Sequence, residues 1–159
     1  MENVLVIAYG NPLRCDDGIA WQAAAEIRRS LPASAQVICV HQLTPEVAEN
    51  ASRADVVIFL DAAIGGEPGR VACRPVTAKP GELRFSHHLG PPDILAICER
   101  LYYTKPRGFL LSIHGTSFDH GEEFSPAAIH AVPRVVELVG GLVGNLLREA
   151  GTQELSSRF

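Results

Sequence analysis

The chain lacks an excess of basic residues, paired cysteines and any uninterrupted apolar run long enough to cross a bilayer. Lys and Arg number 14 against 18 Asp and Glu, giving a net charge of −4 at pH 7 and a pI near 5.8. Nucleic-acid binders ordinarily carry a basic face, so that class is excluded. The four cysteines, Cys15, Cys39, Cys73 and Cys98, are scattered without C-x-x-C spacing, which excludes a zinc module and a disulfide framework. Cys39 and Cys73 sit in strand-like runs and Cys98 on an apolar helix face, where a thiol behaves as a small hydrophobe. The segment Val132 to Leu147 is apolar, but Pro133, Arg134, Glu137 and three glycines interrupt it. It is too short to span a membrane comfortably and reads as a buried or docking helix. Met1-Glu2-Asn3 leads into a short apolar strand rather than a long apolar segment, so no signal peptide is expected. A cytoplasmic monomer is expected, with no nucleic-acid or membrane partner. Also missing are the G-x-S-x-G elbow of serine hydrolases and the glycine patterns of nucleotide sites.

What is present is organised around Tyr9-Gly10-Asn11-Pro12-Leu13-Arg14-Cys15-Asp16-Asp17-Gly18. The apolar run Val4-Leu5-Val6-Ile7-Ala8 precedes it, and Ala20, Ala23, Ala24, Ile27 and Leu31 follow at helical spacing. The stretch therefore reads as strand, glycine-bearing turn and helix start. Two adjacent carboxylates at a helix N-terminus are stabilised as anions by the helix dipole and the unpaired N–H groups. They are ordinary caps, and equally well-placed metal ligands. Cys15 beside them is a blunted nucleophile, because neighbouring negative charge disfavours a thiolate.

Further along, Gln36 to Gln42 reads as a second strand, and Thr44-Pro45-Glu46 opens a short helix to about Ser52. Asp55 to Asp61 is apolar on both faces, as a central parallel strand should be, and is expected to end at Asp61. Arg70 to Val76 contains Pro75 and so reads as an edge strand. Asp93 is expected to open a helix, Gly108 to Ile113 to form the last strand, and His114 to Phe124 a polar loop. Ser125-Pro126 caps the final helix, with Pro133 kinking it or marking its true start. Strands alternating with helices give a three-layer α/β/α sandwich around a mostly parallel, twisted sheet of about five strands. One domain is expected over residues 1–150, with a frayed polar tail at 151–159.

In such a sheet the functional crevice lies beyond the carboxyl ends of the strands, where the strand order reverses. Asp17 follows the first strand and Asp61 ends the third; in an order 2-1-3 those strands are neighbours, roughly 5 Å apart. Two carboxylates that close repel unless a proton or cation lies between them, and neither has a basic residue directly beside it in sequence. His87 is a candidate third ligand; a neutral imidazole with carboxylates suits zinc or nickel and leaves positions open for water or substrate. His88, its neighbour, is equally plausible, and His114 and His120 are further candidates. His41 and His130 are read as structural.

These residues resemble the opening motif of the hydrogenase maturation proteases, endopeptidases that trim the C-terminus of the large subunit of [NiFe] hydrogenases. The resemblance runs in order and spacing over roughly residues 3–147. It assigns the metal ligands to Asp17, to Asp61 in Val57-Ile58-Phe59-Leu60-Asp61-Ala62, and to His87 in Ser86-His87-His88-Leu89-Gly90. It implies a hydrolase acting on a hydrogenase large-subunit precursor, with nickel already in the precursor as the recognition signal. Another divalent metal held by the free protein is a further expectation. Asp17 and Asp61 would be catalytic, through a metal-polarised carbonyl or water and a carboxylate base. The chain departs from the family at Cys15 and Ala20, where Gly is common, and at His114-Gly115-Thr116-Ser117, where a proline-containing stretch is usual.

Two other readings compete. Receiver domains of two-component systems also place acids after strand one and strand three, but they need a Lys after the last strand, and Lys105-Pro106 precedes it. A non-catalytic nickel or zinc carrier would use the same three residues.

Overall fold

The computed structural model describes residues 3–83, 85 and 88–157. The elements run β1 (Val4–Tyr9), a 3-10 turn (Cys15–Gly18), α1 (Ile19–Ser30), β2 (Ala35–Val40), α2 (Pro45–Ser52) and β3 (Val56–Ile64). They continue as β4 (Val71–Val76), α3 (Pro91–Leu101), β5 (Arg107–Gly115) and α4 (Pro126–Ser157). Five strands form one sheet in the order β2-β1-β3-β5-β4. All pairings are parallel except β4 with β5, which is antiparallel. This is the three-layer, mostly parallel sandwich the sequence predicts.

The layers follow from the period-2 alternation of apolar strands. Val4, Val6 and Ala8, with Val56, Ile58 and Leu60, pack against α1 and α4 together with Leu111 and Ile113. Leu5, Ile7, Val57, Phe59 and Leu110 point the other way, against α2 and α3. β1 and β3 therefore carry apolar residues on both faces, as strands covered on both sides must. Among the described residues only α4, over Pro126–Glu149, is long and apolar enough to cross a membrane. Its Val132, Val135, Val139, Val143 and Leu146 form part of the core, each stabilising the fold by about 1.5–3 kcal/mol relative to exposure.

The chain leaves β1 toward β2 on one side and returns to β3 on the other, so the strand order reverses between β1 and β3. Tyr9 and Asp61 stand at this reversal, on neighbouring strands.

Several boundaries differ from expectation. β3 continues past Asp61 to Ile64 because Asp61, Ala62, Ala63 and Ile64 pair in register with Ser112 to Gly115. β5 accordingly takes in His114 and Gly115, which are strand rather than loop. α3 begins at Pro91, not Asp93; Gly90 is the N-cap, and Asp93 reaches back to accept from its N–H at 2.8 Å. α4 starts at Pro126, with Pro133 inside it. Its backbone is helical through 151–157; Gln, Glu and Leu there are good helix formers extending an existing helix. β4 lies at the edge as Pro75 predicts.

Candidate active site at the strand reversal

The turn after β1 is built by its glycines and Asn11. Gly10 has φ +144°, and a Cβ there would lie 2.0 Å from the Asp17 carbonyl oxygen. At Gly18 a Cβ would lie 2.5 Å from Pro12 Cα. With side chains excluded at both, the loop folds tightly onto the 3-10 turn. Asn11 accepts from Leu13 N through Oδ1 at 2.9 Å, and its own N–H donates to Asp17 Oδ2 at 2.8 Å. Cys15 adopts φ +46°, a left-handed conformation that costs a non-glycine residue roughly 1–2 kcal/mol. This explains why Gly suits the position. Cys15→Gly is expected to raise stability by about 0.5–1 kcal/mol, after glycine's greater unfolded-state entropy is counted. Urea denaturation checks this; a loss of stability contradicts it.

The two adjacent aspartates, alike in sequence, have different surroundings. Asp16 is fully buried. Its Oδ2 accepts from Thr116 N (2.8 Å), Ser117 N (3.2 Å) and Ser125 Oγ (2.7 Å), and its Oδ1 from Ser125 N (2.8 Å). Burial pushes its carboxyl upward, but the combined hydrogen bonds from Thr116, Ser125 and Ser117 outweigh this and hold it below the usual range. Asp16 is thus a clamp between the 3-10 turn, the loop after β5 and the start of α4. Asp17 is half-buried. Among the described residues only Asn11 N donates to its carboxylate, leaving Oδ1 open.

Asp61 is half-buried on β3. Ser112, its register partner on β5, donates to Oδ1 at 2.6 Å, and Tyr9 at the end of β1 donates to Oδ2 at 2.9 Å. Burial pushes the Asp61 carboxyl above its usual range. The Ser112 and Tyr9 hydroxyls and the Arg74 charge oppose that rise, and the charge of Asp17 adds to it. Asp61 on β3 and Asp17, in the turn after the neighbouring β1, thus lie close enough for their charges to oppose each other. Arg74 is a cation that sequence proximity could not reveal: it lies on β4 opposite Leu110 of β5. Burial, and then the Asp61 carboxylate, raise the Tyr9 phenol far above its ordinary range, so Tyr9 stays protonated and donates.

The described histidines are spread out. His87 lies outside the described residues. His88 is exposed before α3. His114 stands two residues beyond Ser112, and its Nδ1–H donates to Gly65 O at 2.7 Å. His120 is exposed in the loop before α4. His130 is exposed on α4, and His41, just past β2 rather than inside it, meets the Trp21 ring edge-on at 5.1 Å. Among the described residues no three His, Cys, Asp or Glu side chains come together to hold a metal. Asp17 and Asp61 supply two oxygen donors, a set suited to meeting a divalent cation that arrives with other ligands. The four cysteines are free thiols; Cys98 is buried against α2, donating to Ala48 O, and its thiol is pushed up to about 11 chiefly by burial.

The receiver reading fails on this geometry. Lys105 precedes β5, which runs parallel to β3, so it sits at the opposite end of the sheet from Asp61, roughly 20 Å away along the strand. Lys79 instead lies 3.7 Å from Asp93.

No family model and no curated protein matches the chain by sequence. Solved structures do match. The [NiFe] hydrogenase maturation protease HybD from Thermococcus kodakarensis superposes with a TM-score of 0.70 at 23% identity, covering 88% of this chain and 98% of that one. The [NiFe] hydrogenase maturation protease HycI from Thermococcus kodakarensis KOD1 gives 0.73 at 20% identity, over 90% and 93% of the two chains. The hydrogenase maturating endopeptidase HybD from E. coli gives 0.69 at 22%, over 94% of each. The chain thus has the fold of the [NiFe] hydrogenase maturation proteases.

Proposed function

We propose that this chain is an endopeptidase of hydrogenase maturation. It removes the C-terminal extension of a nickel-loaded [NiFe] hydrogenase large-subunit precursor. The observation that carries the reading is the fold shared with solved maturation proteases, in which Asp61 lies on β3 and Asp17 in the turn after the neighbouring β1. Like charges near the ends of neighbouring strands favour a cation between them. In this reading the cation is nickel carried by the substrate, met by Asp17, Asp61 and His87. The open oxygen of Asp17 takes a proton from the attacking water as that water's oxygen bonds to the scissile carbonyl carbon. The C–N bond then breaks, and the leaving nitrogen takes the proton back from Asp17. The protein acts in the cytoplasm as a monomer, with the precursor as its partner.

The experiment is incubation with the nickel-loaded precursor while the mass of the large subunit is followed. Appearance of the trimmed subunit is expected. An unchanged mass contradicts the protease and favours the non-catalytic carrier.

A further inference from the structure

Tyr9 and Ser112 place hydroxyls at the end of one apolar run and inside another, and nothing in the core requires a hydroxyl at either place. Tyr9 closes the apolar run of β1, and Ser112 interrupts Phe109-Leu110-Leu111 and Ile113 of β5. Both hydroxyls go to one acceptor. Tyr9 comes from the strand on one side of β3 and Ser112 from the strand on the other. They donate to different oxygens of Asp61, at 2.9 and 2.6 Å. The Ser112 distance is in the short range of charge-assisted O–H···O bonds. A carboxylate gripped at both oxygens from opposite sides has its rotation fixed. Asp17 contrasts with it: among the described residues a single backbone N–H holds one oxygen, at 2.8 Å.

We infer that Tyr9 and Ser112 are positioning residues, which lock the Asp61 carboxylate in the orientation that meets the substrate. With one hydroxyl on each oxygen, Asp61 presents its remaining lone pairs in a fixed direction. Asp61 is then the rigid member of the acidic pair. The consequence for activity rests on the protease reading; the consequence for the orientation of Asp61 does not.

The test uses the full chain with Tyr9→Phe, Ser112→Ala and Ser112→Thr. Crystal structures of the variants read Asp61 directly. Its carboxylate is expected to leave the wild-type rotamer in Tyr9→Phe and Ser112→Ala and to keep it in Ser112→Thr, which restores the hydroxyl. In precursor processing, the first two are expected to lower kcat about 10- to 100-fold, the scale of a misplaced reacting group. KM for the precursor and Tm should stay near wild type, and Ser112→Thr should recover most of the rate. An Asp61 rotamer unchanged in both Tyr9→Phe and Ser112→Ala overturns the inference, as does a kcat unaffected by either in an active wild type. Failure of the wild type to cleave counts against the protease reading alone, and the rotamer then decides the positioning role.

Discussion

Asp16→Ala is expected to destabilise the fold by about 3 kcal/mol or more, the scale for leaving buried donors without their charged acceptor. Total stabilities are only about 5–15 kcal/mol, so such a loss brings the chain close to unfolding. Asp16 has no exposed surface, and water cannot replace it without the site opening. Its removal orphans the N–H groups of Thr116, Ser117 and Ser125. It also frees Ser125, whose Oγ accepts from Ala128 N at 3.3 Å and so caps α4. The folded carboxyl is held below its usual range, so it binds protons less readily folded than unfolded. Its contribution is fully present above the unfolded value of about 3.9 and is lost as pH falls through the folded value. Urea unfolding at pH 7 and again near pH 3 reads both effects: a large gap between wild type and Asp16→Ala at pH 7, narrowing in acid. A gap under about 1 kcal/mol at pH 7 would show that Asp16 is not the clamp.

Asp61→Asn and Asp17→Asn act in the opposite sense, on processing rather than on folding. Each is expected to lower precursor cleavage at least about 100-fold, the lower range for loss of an acid–base group. For Asp61 the substitution leaves the shape nearly unchanged, and Ser112 can still donate to the amide oxygen. Burial raises the folded carboxyl, so its charge costs stability at neutral pH, a cost that fades as pH falls through the folded value. A neutral amide removes that cost. Asp61→Asn should therefore unfold at the wild-type temperature or above it while failing to process the precursor. Thermal unfolding with the cleavage assay separates the two effects. Full cleavage by Asp61→Asn would remove Asp61 from the reaction.

The sequence made the sheet, and the neighbouring strands that carry Asp61 and lead to Asp17, legible for physical reasons. Val4 to Ala8 and Val56 to Leu60 are apolar on both faces, which marks central parallel strands, and the ligand crevice of such a sheet follows from strand order. Asp16 and Asp17 could not be told apart, since they are one residue type at adjacent positions. Their difference comes from the loop before α4, 100 and more residues away. Tyr9, Ser112 and Arg74 were hidden for the same reason: the two hydroxyls bond Asp61 and the Arg74 charge acts on it from other strands, and only the register of β1, β3, β5 and β4 brings them near. Ser112 did carry a signal, as a hydroxyl in an apolar strand. The strand ends were missed because Ala62-Ala63-Ile64 and His114-Gly115 have weak strand character alone and extend only by pairing with each other. The left-handed turn at Cys15 was visible only as a departure from the glycine usual in the family.

The measurement that bears most directly on the account is the mass of a hydrogenase large-subunit precursor incubated with this protein, in nickel-loaded and nickel-free forms side by side. The account predicts loss of the C-terminal extension from the loaded form alone, dependent on Asp17 and Asp61. An intact C-terminus on both forms, or cleavage that persists in Asp17→Asn and Asp61→Asn, would contradict it.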